Sequence, residues 1–575
     1  MELNRMSELT PIPPLRPNAH GLFRRMPLSI VLPAAALGAA AGTLTIGLHG
    51  ALWLACAIGL CLAALGTIRT QQTNIWQILG MRLALWWRNR RDTGSPPRNE
   101  PFDVPIPQSA GARCGMRWDG DHLITMLRVD RTEVTPTLLG AAEIRTGAAI
   151  SLAEVARCLS QFDIRLAAVD IVTLGVRTRG PDNVVRIYEE LLGPLPAAAT
   201  RNVWLVLRFD PLDNSEAIDN RGGGEPGMIR TALVATRRVA ARLVTREVRV
   251  SVLTAAELAA AEAAELHDTE PGRWTENWHS LDSGGIELAG YAVRPERLDS
   301  EVLATVWSLP GLSTLLRLRM TPIIEAETPG RPGDAVALTA LVRHDIAGAG
   351  QHDPEKTPAE LGLRLLRGRQ RRVLLDGGQL EPSAAACGTP AALAGFTVPA
   401  DGGGQVIGAT AAGLGVAVPL FGPAVRRVEI VGSLHIAQLM VLRSIAGGAQ
   451  VIVHSTRPAA WTRLVSAVDS PAALSISSSG GGAQHTASAT MIVYDGVASA
   501  GQVSEATAVH LRSPAESPGA IADADVALIE SPGGTGEVFI RTAGEELAVQ
   551  VVSTQEEFGY VNDPEPVAAP VLQPA

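Results

Sequence analysis

The stretch GMRWDGDHLITMLRV, Gly115 to Val129, sets Asp119 and Asp121 on either side of a glycine. In many glycosyltransferases two carboxylates at this spacing clamp a metal ion and the diphosphate of a nucleotide sugar, so the pair is a candidate for metal-assisted transfer. The same residues also make a turn. Asp-Gly between RCGMRW and DHLITMLRV is a strong short hairpin signal, because a type I′ turn needs positive φ at both central residues and Asp-Gly accepts it cheaply. Leu123, Leu127 and Val129 then share one face of the second strand, and Arg128 falls on the other. A metal-binding pair would normally follow several βα units, whereas only apolar stretches and a proline-rich linker lie upstream. The turn is the stronger reading, with chemistry at Asp119 and Asp121 as its alternative.

No other constellation is stronger. The loop RGGGEPG, Arg221 to Gly227, precedes a helix and could present N–H groups to a phosphate, but it lacks the Lys-Ser/Thr of a P-loop and the spacing of a dinucleotide fingerprint. Arg237, Arg238, Arg242 and Arg246 on that helix are either a basic face for an acidic partner or a solvated face. The turn Gly432-Ser433-Leu434-His435 has neither GxGxxG nor GKS, and Asp495 reads as a strand-capping aspartate rather than a metal ligand. His279, His344, His435 and His454 are scattered, with no HExxH or GxSxG. Cys56, Cys61, Cys114, Cys158 and Cys387 have no metal-ligand spacing and do not suggest a disulfide framework. The residues call for no catalytic group, metal or cofactor.

The elements that would carry these residues begin with two apolar runs. Leu28 to Gly47 and Ala51 to Ile68 contain no charged residue, and each approaches the roughly 20 residues that cross a bilayer core. They predict an N-terminal transmembrane helical hairpin. Arg24 and Arg25 before it and Arg69 after it place the N-terminus and the remaining chain in the cytoplasm, making the protein a multi-pass component of the inner (plasma) membrane. Gly38 and Gly42 have GxxxG spacing, for packing within the hairpin or against a partner's span. NIWQILGMRLALWWRNRR follows at helical spacing, with Trp76, Trp86 and Trp87 suited to headgroups and Arg88, Arg90 and Arg91 to anionic lipid or an acidic partner. A helix packed on the next domain is the plainer reading. DTGSPPRNEPFDVPIPQSAG, with five prolines, is a linker.

Beyond it, strand and helix patterns alternate, which suggests βαβ units and a cytosolic mixed α/β domain. VRRVEIVG, HIAQLMVLRSIAG and AQVIVHSTRP then read as strand, helix and strand of a Rossmann-like, doubly wound unit without a phosphate-binding loop. The expected division is a cytosolic tail over 1–26, the hairpin over 27–70, a basic helix and linker over 71–111, an α/β domain over 112–385, a Rossmann-like domain over 386–560 and a disordered tail over 561–575. The 575 residues are ample for this, and the net charge of -9 leaves no nucleic-acid footprint. Lys356 is the sole lysine, a skew that fits a GC-rich genome more than a function.

In order along the chain, the two apolar runs, the hairpin GMRWDGDHLITMLRVD, VLRFDP, RGGG with its arginine-rich helix, LLRGRQ, GQVIGATAAGLGVAVPLFGP and AQLMVLRSIAGGAQVIVHSTRPAAW resemble the EccE family of the actinobacterial type VII (ESX) secretion machinery. The resemblance covers most of the chain. It implies a non-catalytic scaffold at the periphery of an inner-membrane complex with EccB, the ATPase EccC and EccD, in contact with membrane lipids and no nucleic acid, and it carries no catalytic residues across. The competing class is a membrane-anchored, glycosyltransferase-like or nucleotide-binding enzyme using Asp119 and Asp121.

Overall fold

A computed structural model describes residues 15–17, scattered positions between 36 and 70, residues 73–91 and most of 99–561. Within that last range, residues 110, 132, 268, 270–272, 324–334, 349–360, 376, 382–383, 478–488, 499–504, 514–522 and 532–535 are not described.

Helix α1 spans Ile75–Arg91. Strands β1 (Phe102–Pro105), β2 (Arg113–Asp119) and β3 (His122–Val129) then form an antiparallel meander. The loop between β2 and β3 is Gly120-Asp121, because Asp119 pairs with His122. Gly120 has φ 59° and Asp121 is not among the residues with positive φ, the sign pattern of a type II′ turn with glycine first. The turn is therefore shifted one residue from the expected type I′ centre at Asp119-Gly120, and Asp119 becomes a strand residue.

Strands β4 (Thr137–Gly140) and β5 (Glu143–Arg145) are followed by α2 (Leu152–Ala156), β6 (Ala168–Val176), α3 (Asp182–Leu192), β7 (Thr200–Phe209), α4 (Gly224–Val244), β8 (Val250–Val252) and α5 (Ala255–Glu265). Strands β9 (Leu281–Ser283), β10 (Ile286–Val293), β11 (Ser313–Pro322) and β12 (Val336–Ala347) precede α6 (Gln370–Leu375). The first sheet runs β9-β10-β12-β11-β6-β7-β3-β2-β1, and every pairing in it is antiparallel.

The strand–helix alternation around α3 suggested a βαβ crossover, yet β6 and β7 are antiparallel neighbours. The reason is where α3 packs. Val184, Tyr188 and Leu192 join the core of the second sheet, so the helix leaves its own strands free to return side by side.

The second half contains β13 (Gln405–Ala409), β14 (Gly415–Val418), β15 (Arg427–Val431), α7 (Leu434–Ala446), β16 (Val451–Ser455) and α8 (Thr462–Val468). It continues with β17 (Leu474–Ser477), β18 (Met491–Asp495), β19 (Thr507–Arg512), β20 (Val526–Glu530), β21 (Glu537–Thr542), β22 (Glu546–Val551) and α9 (Gln555–Tyr560). Its sheet runs β17-β16-β18-β19-β15-β20-β21-β22-β13-β14-β4-β5, parallel from β17 to β20 and antiparallel from there on.

These observations correct the expected fold class. The described residues are sheet-rich, with one antiparallel and one mixed sheet, and no helix among them is long and apolar enough to cross a membrane. Among them α4 is the longest, at 21 residues, and it carries Arg230, Arg237, Arg238 and Arg242. The runs assigned to the transmembrane hairpin, and with them the multi-pass topology, lie outside the described residues apart from single positions. The Rossmann-like unit is corrected as well. The strand–helix–strand run β15-α7-β16 would set its two strands side by side, but β18 and β19 stand between them in a sheet that is mixed rather than all parallel. Hydropathy marks each segment as strand or helix without saying which strand will be its neighbour.

Candidate functional site

Alternation along the first sheet sorts its side chains onto two faces. One face is apolar: Leu123, Leu127, Val203, Leu205 and Leu207 pack against Ala232, Leu233, Ala235 and Val239 of α4. The other, under α5, mixes Ile124, Met126, Val172, Trp204 and Val206 with charged residues in the same phase of the strands. A Thr254/Glu257 capping box starts α5, which packs Leu258 and Ala261 on this face and extends Glu262 and Glu265 into it.

Asp170 on β6 is the hub. It stands opposite Arg319 of β11 in the register, and Arg319 grips it with two hydrogen bonds, Nε to Oδ1 and Nη2 to Oδ2, both 2.7 Å. Arg317 donates to Asp170 Oδ2 at 3.2 Å and to Glu265 Oε2 at 2.6 Å. Arg208 of β7 has its Nε 3.6 Å from Asp170 Oδ2 and donates from Nη1 to Asp119 Oδ2 at 2.7 Å. Arg117 holds Glu262 at 3.1 Å. Burial alone would push the Asp170 carboxyl up, but Arg319, Arg208 and Arg317 together hold it at about 2. Gly377, φ 62°, lets its carbonyl accept from Arg317 and Arg319, and a Cβ there would come within 2.4 Å of Arg208 Nη2.

This layer holds its charges in fixed pairs around a small cavity. Its cavity, lined by Arg117, Asp119, Arg208, Glu262, Glu265 and Arg317 among others, measures about 40 Å³. Ligand pockets are on the order of 300–1,000 Å³. Asp119 is tied to a guanidinium that would compete with any metal, and Asp121 is exposed in the turn. A neighbouring Ser-His-Asp trio also fails as a relay. Ser313 Oγ donates to Asp345 Oδ2 at 2.6 Å, and His267 Nε2 lies 2.8 Å from that same oxygen. The serine proton is thus directed at the carboxylate, with His267 3.4 Å away, and Arg343 grips Asp345 from the other side. The thiols are quiet too: burial, then Asp103, pushes Cys114 up to about 12, and burial pushes Cys158 up to about 11.

The remaining sequence candidates have structural partners. Gly223, φ 66°, is the N-cap of α4, and a Cβ on Gly227 would meet Ile218 O at 2.6 Å, so the glycines serve a tight entry into the helix. Arg242 and Arg246 converge on Glu154, and Arg238 reaches the Gln161 carbonyl and Asp163, which leaves much of the expected basic face engaged within the chain. At the N-terminus of α7 the Ser433 N–H donates to Glu530 Oε2 at 2.6 Å, so a carboxylate stands where a phosphate would bind. Asp495 accepts from Arg457, Ser455 and the Trp461 indole.

Of the predicted interaction residues, Arg24, Arg25, Gly38 and Gly42 lie outside the described residues. Arg69 falls in the two-residue strand Arg69–Thr70, and Trp76 and Arg91 in α1. Trp86 and Trp87 are half exposed, their ring centroids 6.1 Å apart, and the Arg90 guanidinium lies 4.9 Å from the Trp86 ring. Arg88 turns inward: it donates to Glu276 at 3.1 Å and to the Gly368 carbonyl at 2.8 Å, docking α1 on the body of the protein. The structure does not bring α1 together with the Asp170 network, which the sequence reading missed. Its signal was charge inside apolar strands, one in VDIVTL and two each in LLRLRM, VLRFD and LVRHD.

Comparison with known proteins places this architecture among relatives. A family model described as "Putative type VII ESX secretion system translocon, EccE" matches residues 197–293, the stretch from β7 to β10 that supplies Arg208, Glu262 and Glu265. The chain is 28% identical over 298 residues to ESX-1 secretion system protein EccE1 of Mycolicibacterium smegmatis, covering 50% of this chain and 58% of the relative. It is 31% identical over 271 residues to ESX-5 secretion system protein EccE5 of Mycobacterium marinum, covering 44% and 62%. To ESX-1 secretion system protein EccE1 of Mycobacterium tuberculosis it is 28% identical over 327 residues, 55% and 62%. The chain thus spans less than two thirds of the length of each of these relatives.

Proposed function

We propose that the chain is an EccE family member and a non-catalytic structural subunit of the type VII (ESX) secretion complex at the inner membrane, where it supports assembly or stability of the export machine. The observation that carries the non-catalytic part is the closed state of the charge layer: Asp119, Asp170, Glu262 and Glu265 are each held by an arginine around a cavity of about 40 Å³. Groups so paired rigidify a sheet. The subunits it meets are EccB, the ATPase EccC and EccD. Its contact with the membrane is through α1, where Trp86, Trp87 and Arg90 are exposed.

The test is a mild-detergent pull-down of the tagged full chain from its own membranes, read by mass spectrometry. Co-recovery of the ATPase and its multispan companions is expected. Recovery of the chain alone overturns the proposal, and turnover of a nucleotide sugar by that chain would establish the transferase instead.

A further inference from the structure

A groove of about 640 Å³ opens between α1 and α6, far larger than the cavity in the charge layer and separate from it. Its floor is apolar, built from Met81 and Ala84 of α1 with Leu366, Val373 and Leu380. Its charged lining is one-sided: Arg88, Arg364, Arg369 and Arg372 against the single carboxylate of Glu381. Arg88 already holds Glu276, and Arg369 already holds Glu381. Arg364 makes no hydrogen bond to a carboxylate among the described residues; burial lowers its pKa, and Glu381 only partly offsets this. Beside the groove, Leu79 and Leu83 are exposed on the same helix and extend the apolar surface outward toward Trp86 and Trp87.

An apolar floor under a cationic rim is complementary to an anionic amphiphile. A small soluble anion has no use for the floor, and a neutral lipid has none for the arginines. We propose that this groove binds one anionic phospholipid, with its phosphate at Arg364 and the upper part of its chains along Met81, Leu366 and Leu380. The inference rests on the membrane contact proposed for α1, but it concerns a lipid retained in a site rather than adsorption to a surface.

The distinction can be tested with two substitutions. At Gly80, which lines the groove, an added Cβ meets nothing within 4 Å, so Gly80→Leu has room to enter the groove and leaves every charge in place. Arg364→Gln removes the rim cation, with Arg364→Lys as its charge-preserving control. The full chain would be loaded with phosphatidylglycerol in detergent and the bound lipid counted by native mass spectrometry, while flotation on phosphatidylglycerol vesicles reports surface contact. Gly80→Leu and Arg364→Gln should each weaken retention about tenfold, the loss of one charge-assisted contact or of the space it needs, with flotation and melting temperature unchanged. Arg364→Lys should keep most of the binding. Unchanged retention in both loss variants, equal retention of phosphatidylcholine, or full displacement by glycerol phosphate would overturn the groove and leave the membrane contact standing. Loss of wild-type flotation with retention intact would sink only the membrane contact.

Discussion

The two sheets deal with buried charge in different ways. In the first, carboxylates and arginines share one face, and the hub pair Asp170 and Arg319 sits on adjacent strands directly opposite in register. In the second, a fully buried pair joins remote elements. Arg443 of α7 binds both carboxylate oxygens of Glu557 on α9 at 2.9 Å across 114 positions, and also donates to the Val406 and Ile407 carbonyls. The antiparallel sheet distributes charge over a network of neighbours; the mixed sheet keeps smaller groups, such as Glu429 shared by Arg427 and Arg512, and uses the Arg443–Glu557 pair as a latch for its last described helix. A network shares the cost of desolvation among many hydrogen bonds, so removing its hub should hurt more than removing a latch that can open locally.

The largest effect should follow Asp170→Asn, which leaves Arg208, Arg317 and Arg319 buried without their shared counter-charge, at a cost of roughly 3–5 kcal/mol in urea unfolding. The same group sets an acid limit. Its folded pKa of about 2 lies below that of an unfolded aspartate, so its contribution is complete above about pH 4 and is lost as pH falls through about 2. The wild-type unfolding free energy should therefore drop in that window, and the Asp170→Asn variant should lose that part of the slope. A flat wild-type profile between pH 4 and 2 would show that the arginines do not hold the carboxylate as described.

Arg443→Met should come next. Because α9 is only six residues long and the last described helix of the chain, it can undock without unfolding the sheet, so the loss should be about 2 kcal/mol. Hydrogen exchange is the discriminating measurement: protection should fall in α9 while α7 and its strands keep theirs. A global loss as large as that of Asp170→Asn would erase the contrast between network and latch.

The smallest pair of effects tests the turn. Asp119→Ala removes one partner of Arg208 and should cost about 1–2 kcal/mol, whereas Asp121→Ala in the exposed loop should stay within about 0.5 kcal/mol. Equal effects at the two positions, by thermal melting, would mean that the hairpin register is wrong.

Much of the local structure was legible in the sequence. The stretch 74–91 reads as a helix from its spacing and forms α1. The strands β2 and β3 are visible as alternating runs around a glycine, with Arg128 on the face opposite Leu127 and Val129. Even there the turn moved by one residue, since Asp-Gly and Gly-Asp both satisfy a two-residue loop and only the cross-strand pairing of Asp119 with His122 chooses between them. The Asp170 layer left a trace as charges within apolar strands, but which arginine would face which carboxylate depends on strand order.

What the sequence by itself determined is what the backbone settles over a few residues: the period of apolar side chains, the glycine that can take positive φ, and the order of motifs that marks the family. Only the tertiary structure decided that β18 and β19 would separate β15 from β16, that α3 would serve the other sheet, that Glu530 would stand at the start of α7, and that Asp119 would belong to Arg208. Each of those outcomes is a hydrogen bond or a packed contact between segments far apart in the chain. Its free energy depends on every other segment competing for the same edge or face, and no local pattern records that competition.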